Sequence, residues 1–101
     1  MSSSAQRRVV VTGMGVVTPL GLELDQVFES LIAGRSGVCE IRGFSTAGLP
    51  LHHGGEATEF TGDIANYGPL EAPQKRAIRK GQKVMCRESQ MAVAAAQRAL
   101  L

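Results

Sequence analysis

The chain has no tryptophan, and its 101 residues include only one tyrosine and three phenylalanines. An interior with so little aromatic area has to be aliphatic and alanine-rich. No apolar run approaches the roughly 18 residues a membrane span requires, so no spanning helix is expected. The first six residues are polar and lack the apolar centre of a secretion signal. Cysteine is scarce too, and Cys39 and Cys86 read as reduced thiols of a cytosolic protein rather than a disulfide framework. Repeats and low-complexity segments are absent. A hydrophobic content of 44% excludes disorder throughout. The length suits one small domain or a piece of a larger one.

The stretch Arg7-Arg8-Val9-Val10-Val11-Thr12-Gly13-Met14-Gly15-Val16-Val17-Thr18-Pro19-Leu20-Gly21 organises the rest. A short, uniformly apolar, β-branched run is the pattern of a strand buried on both faces. We place that strand at 7–13, after a mobile lead-in over 1–6, and a structured loop at 13–22, where Pro19 keeps Thr18 out of the helical region. Leu24, Val27, Phe28, Leu31 and Ile32 then recur at helical spacing, and Gly34 ends that helix. Residues 38–55 read mostly as loop, and 56–61 as a short polar edge strand. From Glu71 onward the composition turns helical, with Pro73 in the first turn. Gly81 predicts either one long helix with a weak middle or two segments meeting there. The run Met91–Ala96 predicts close approach on more than one side, and Ala99-Leu100-Leu101 bears no cap.

The net charge of +2 conceals a division. Residues 1–70 carry four basic against seven acidic side chains, a balance of −3, whereas 71–101 carry seven against two, a balance of +5. Arg76, Lys80, Lys83 and Arg87 recur every three or four residues, flanked by Lys75 and Arg79, and predict one basic helical face. Such runs are commonly solvated surface, yet little acid balances this one. An acidic protein fits it. Nucleic acid fits less well, because no aromatic residue interleaves for stacking.

Other signals carry less. Gly13 and Gly15 superficially resemble a dinucleotide loop, but Thr18 stands at the third glycine and Pro19 delays the helix. A tight turn packed beneath other elements is the simpler reading. Cys86 beside Arg87 and near Lys83 lies where a thiolate is favoured, yet His52 and His53 fall in a distant loop and offer it no base. Cys39, His52, His53 and Cys86 lack the spacings of a zinc site.

The segment Arg8 to Gly21, followed by Phe28…Leu31-Ile32-Ala33-Gly34-Arg35-Ser36-Gly37-Val38, resembles the opening of a β-ketoacyl-[acyl carrier protein] synthase. Met85 to Leu100 resembles that family's second helix, although Cys86 and Glu88 replace an acidic and an aromatic residue there. The resemblance implies an α/β chain forming the N-terminal portion of a thiolase-like layered α/β/α/β/α fold, incomplete as a domain. It would supply the first strand, first helix, a loop-rich segment and a second long helix. The implied parent is a cytoplasmic homodimer that condenses an acyl thioester with malonyl-carrier protein. Its nucleophilic cysteine and two histidines lie further along than this chain reaches. No catalytic, cofactor-binding or metal-binding residue carries over, and Cys86, read as sitting inside a helix, is not the nucleophile's counterpart. What carries over is a docking face for acyl carrier protein at Lys80 and Lys83, with Arg76 and Arg79 beside them. A competing reading is a free-standing module that uses the basic helix against an acidic protein or nucleic acid.

Overall fold

A computed structural model describes residues 6–101, so the lead-in expected over 1–6 lies outside the described residues except for Gln6. The element order is α1 (Leu24–Ile32), β1 (Val38–Glu40), β2 (His53–Gly55), a 3-10 turn (Ile64–Tyr67), α2 (Ala72–Gln82) and α3 (Arg87–Ala99).

The strand expected at 7–13 does not form. Residues 6–17 make no ladder with any described segment, and Val9, Val10 and Val11 are 93%, 71% and 79% exposed. A strand exists only against a partner edge, and no described segment offers one beside this arm. The arm lies instead on α3. Gly13 and Gly15 rest directly on the main-chain carbonyls of Ala99 and Ala95, where a Cβ atom has no room. The packing inferred for these glycines is therefore present, but the tight turn is not at them; it comes later, between Thr18 and Gly21.

The loop at 13–22 closes as a turn in which Thr18 and Gly21 exchange two backbone hydrogen bonds of 3.1 Å. Thr18 Oγ1 also accepts from the Leu20 N–H at 3.1 Å. Helix α1 follows at the expected place. Gly34, at φ +73°, ends it: the Gly34 N–H bonds Leu31 O and the Arg35 N–H bonds Ser30 O, a Schellman closure that glycine permits. The face α1 turns inward holds buried Ser30, whereas Phe28, Leu31 and Ile32 of the apolar stripe are exposed.

Between α1 and α2 the structure departs from expectation. Val38–Glu40 and His53–Gly55 form an antiparallel ribbon with Val38 opposite Gly55 and Glu40 opposite His53. No strand covers 56–61. There the chain turns, Ala57 and Phe60 enter the core, and the Glu56 carboxylate accepts from the backbone N–H groups of Arg42 at 2.8 Å and Gly43 at 3.0 Å. A carboxylate occupied in this way and two inward apolar residues three apart belong to a turn, not to an edge strand.

The C-terminal third is two helices, not one, but the junction is Lys83–Cys86 rather than Gly81. Gly81 stays in the last turn of α2, which Ile78 and Gln82 anchor to the core. The core joins Leu22, Ala57, Phe60, Tyr67, Ile78 and Ala94, with Met91 and Val93 packed against it. Phe60 and Tyr67 meet edge-to-face at 6.2 Å, a geometry worth about 0.5–1.5 kcal/mol beyond burial. The Tyr67 hydroxyl accepts from Gln82 Nε2 at 3.2 Å, and the same nitrogen donates to Gly62 O at 2.7 Å. The radius of gyration is 17.8 Å, against about 13 Å for a compact chain of this length. Much apolar surface therefore stays uncovered, chiefly the valine arm and the outer face of α1.

Candidate functional site

Helix α2 is preceded by its N-cap Glu71, whose backbone N–H donates to Gln74 Oε1 at 3.1 Å, with Pro73 in the first turn. Ile78 and Gln82, four residues apart, face the core. The opposite side therefore has to carry Arg76, Lys80 and Lys83, with Arg79 at its margin. All four side chains are exposed. Among the described residues the one ion pair is Arg98 with Glu23, so none of the four is neutralised by a carboxylate. The last turn of α2 is basic, which suits the negative end of the helix dipole. This is a fixed patch of positive charge with water on its outer side.

The stripe is shorter than its spacing predicts. Because α2 ends at Gln82, Lys83 sits at the C-cap and Arg87 opens a different helix. Arg87 turns away: its Nη2 donates to Ala57 O at 3.0 Å, and its guanidinium carbon lies 5.4 Å from the centroid of the Phe60 ring. It holds the loop at 57–60 to α3.

Cys86 is not inside a helix. It is the N-cap of α3, with extended backbone at ψ 170°, and its Sγ lies 3.4 Å from Ser89 Oγ. No imidazole joins it: His52 Nδ1 lies 2.9 Å from Thr46 Oγ1, and His53 is paired in β2 opposite Glu40. Cys39 is on β1 opposite Gly54. Among the described residues no three Cys, His, Asp or Glu side chains gather as a metal site. Gly13 and Gly15 are taken up by packing on α3, and α1 starts well after them at Leu24, so they do not cradle a phosphate at a helix start. The Arg98 bridge to Glu23 joins residues 75 apart and has no local signal in the residues around either partner.

This chain belongs to the β-ketoacyl synthase family: the family model "Beta-ketoacyl synthase, N-terminal domain" matches residues 6–101. It is 35% identical over 75 residues to 3-oxoacyl-[acyl-carrier-protein] synthase 2 of Coxiella burnetii, covering 74% of this chain and 16% of that protein. It is 45% identical over 56 residues to the chloroplastic 3-oxoacyl-[acyl-carrier-protein] synthase II of Arabidopsis thaliana, covering 55% of this chain and 10% of the relative. The ketoacyl synthase beta subunit of the tetracenomycin polyketide synthase of Streptomyces glaucescens is 40% identical over 66 residues, 65% of this chain and 16% of its own. The chain thus spans about a sixth or less of these relatives. No solved structure matches it.

Proposed function

We propose that this chain is the N-terminal piece of a 3-oxoacyl-[acyl carrier protein] synthase and presents part of the face on which acyl carrier protein docks. In that reading the parent is a cytoplasmic homodimer with a thiolase-like layered fold. A cysteine outside this chain accepts the acyl group from its thioester, releasing the carrier thiol. Malonyl-carrier protein then loses CO2, and the resulting carbanion attacks the acyl-cysteine and expels the thiolate. The valine arm and the outer face of α1 would be covered by other parts of the parent, and the chain alone would be inactive. Both fatty acid and polyketide synthesis fit this reading.

One observation carries the docking role: Arg76, Lys80 and the C-cap Lys83 on one side of α2, with Arg79 at its margin, all exposed and without a carboxylate partner among the described residues. Such a patch attracts an acidic partner from a distance of about a Debye length, roughly 8 Å at physiological salt. Nucleic acid would want aromatic platforms among the cations, and none of the four aromatic residues lies in α2 or its junction with α3.

The test is a double reversal, Lys80→Glu with Lys83→Glu, in the full-length parent. Carrier-protein affinity should fall about tenfold or more and lose much of its salt dependence, while acylation by a small soluble thioester stays intact. Unchanged affinity removes the docking role.

A further inference from the structure

We infer that Val84 is the apolar contact point of this basic face, seating a hydrophobic side chain of the acidic partner that the cations attract. The inference rests on the docking reading above and adds a residue to it. Val84 stands in the short junction between α2 and α3 and is 89% exposed. Its backbone is fixed, because its N–H donates to Gly81 O at 3.0 Å, and the next N–H, of Met85, donates to Gln82 O at 3.3 Å. The side chain is β-branched, with one stiff torsion, so it has little rotamer freedom to lose on binding. Lys83 precedes it directly and Lys80 lies four residues back, both exposed.

Four of the other exposed large apolar residues, Met14, Leu24, Phe28 and Leu31, line with Val27 and Asp25 one shallow concavity against α1. Val84 is not among them, and Lys83 directly before it is an exposed cation with no ion pair among the described residues, a charge that resists burial beneath an apolar layer. The junction therefore remains at the surface when the apolar concavity is covered. An exposed apolar side chain that follows Lys83 and lies four residues from Lys80 is the arrangement of an interface anchor at the edge of a charged rim. Charge complementarity selects the occupant: an anionic protein surface that also offers an apolar side chain, taken here as the acyl carrier protein of the proposed function.

The two contributions separate by salt. Ion pairs weaken as salt rises, whereas apolar contact does not. Binding of acyl carrier protein to the full-length synthase is measured across a salt series for Val84→Ser, Val84→Lys and Lys80→Glu with Lys83→Glu. Val84→Ser should weaken binding by about tenfold at every salt concentration, leaving the slope of log affinity against log salt unchanged. Val84→Lys adds a cation and should still bind more weakly than the wild type at about 0.5 M salt, where charges are screened. The charge reversal should lower affinity and flatten the slope. If Val84→Ser binds like the wild type, or Val84→Lys binds more tightly at all salts, while the charge reversal weakens binding, the anchor is refuted and the docking reading survives. If the charge reversal too leaves binding unchanged, the docking reading falls and takes the anchor with it. Thermal unfolding of each variant within a few degrees of the wild type assigns the losses to the interface, since an exposed substitution of this kind scarcely alters stability.

Discussion

Arg98 and Glu23, 75 residues apart, are joined by a salt bridge of 2.7 Å. The arginine is nearly buried, with its side chain 14% exposed, while the glutamate is 67% exposed. Arg98 Nε also donates to the Asn66 carbonyl at 2.8 Å. One guanidinium thus ties α3 to the start of α1 and to the 3-10 turn. Arg98→Met should cost about 1–3 kcal/mol, because it strips that carbonyl of its donor. Glu23→Gln should cost less than about 1 kcal/mol, since its carboxylate is mostly in water. Arg98→Lys restores the charge but not the fork, and should recover only part of the loss. Urea unfolding of the three variants in the full-length protein orders them.

Gly15 and Gly34 are both glycines for which alanine is costly, for different reasons. At Gly15 a methyl group meets the Ala95 carbonyl, a backbone atom held by the helix. At Gly34 nothing lies within 4 Å, and the cost is the positive φ alone. Gly34→Ala should therefore lose about 1–2 kcal/mol and leave the arm in place. Gly15→Ala should detach the arm from α3, read as faster cleavage at residues 9–16 by a nonspecific protease.

Glu88, in the first turn of α3, has its carboxyl held below the usual carboxylate range. Its own backbone N–H does most of this, and the Cys86 side chain and Arg87 add to it. A folded-state value below the unfolded one means that the contribution to stability is complete above the unfolded pKa. It is lost as pH falls through the folded value. Carboxyl-carbon NMR should show Glu88 titrating at lower pH than an ordinary glutamate. Glu88→Gln should remove that titration and the matching acid-side loss of α3 helicity.

The 101-residue chain expressed by itself should associate. Val9, Val10, Val11, Phe28, Leu31 and Ile32 are all more than half exposed, and a row of unpaired main-chain groups runs along the arm. Light scattering at tens of micromolar should find an intertwined dimer or larger species. A stable monomer at high concentration contradicts this.

What could be read in the residues beforehand follows from how local each signal is. Helix α1 was legible because its stripe and its closing Gly34 lie within a dozen positions of each other. The break between α2 and α3 was legible, but not its place: Gly81 costs about 1 kcal/mol in a helix, and the inward anchors Ile78 and Gln82 hold that turn in spite of it. The ribbon was not legible, because β2 is His53-Gly54-Gly55, without a β-branched residue, and its partner lies beyond a long loop. The valine run was read as a strand buried on both faces, yet it forms no ladder with any described segment and its valines are exposed. Of the basic face, Arg76, Arg79, Lys80 and Lys83 were legible from periodicity. The withdrawal of Arg87 was not, since it depends on where Phe60 lies.

The seat of Gly13 and Gly15 on Ala95 and Ala99 also sets an order of events during synthesis. The arm is made about 80 residues before the part of α3 it rests on. At about 5–20 residues per second, the valines wait for several seconds with nothing to lie against. For that interval the nascent chain is a natural client for a chaperone that grips short aliphatic segments.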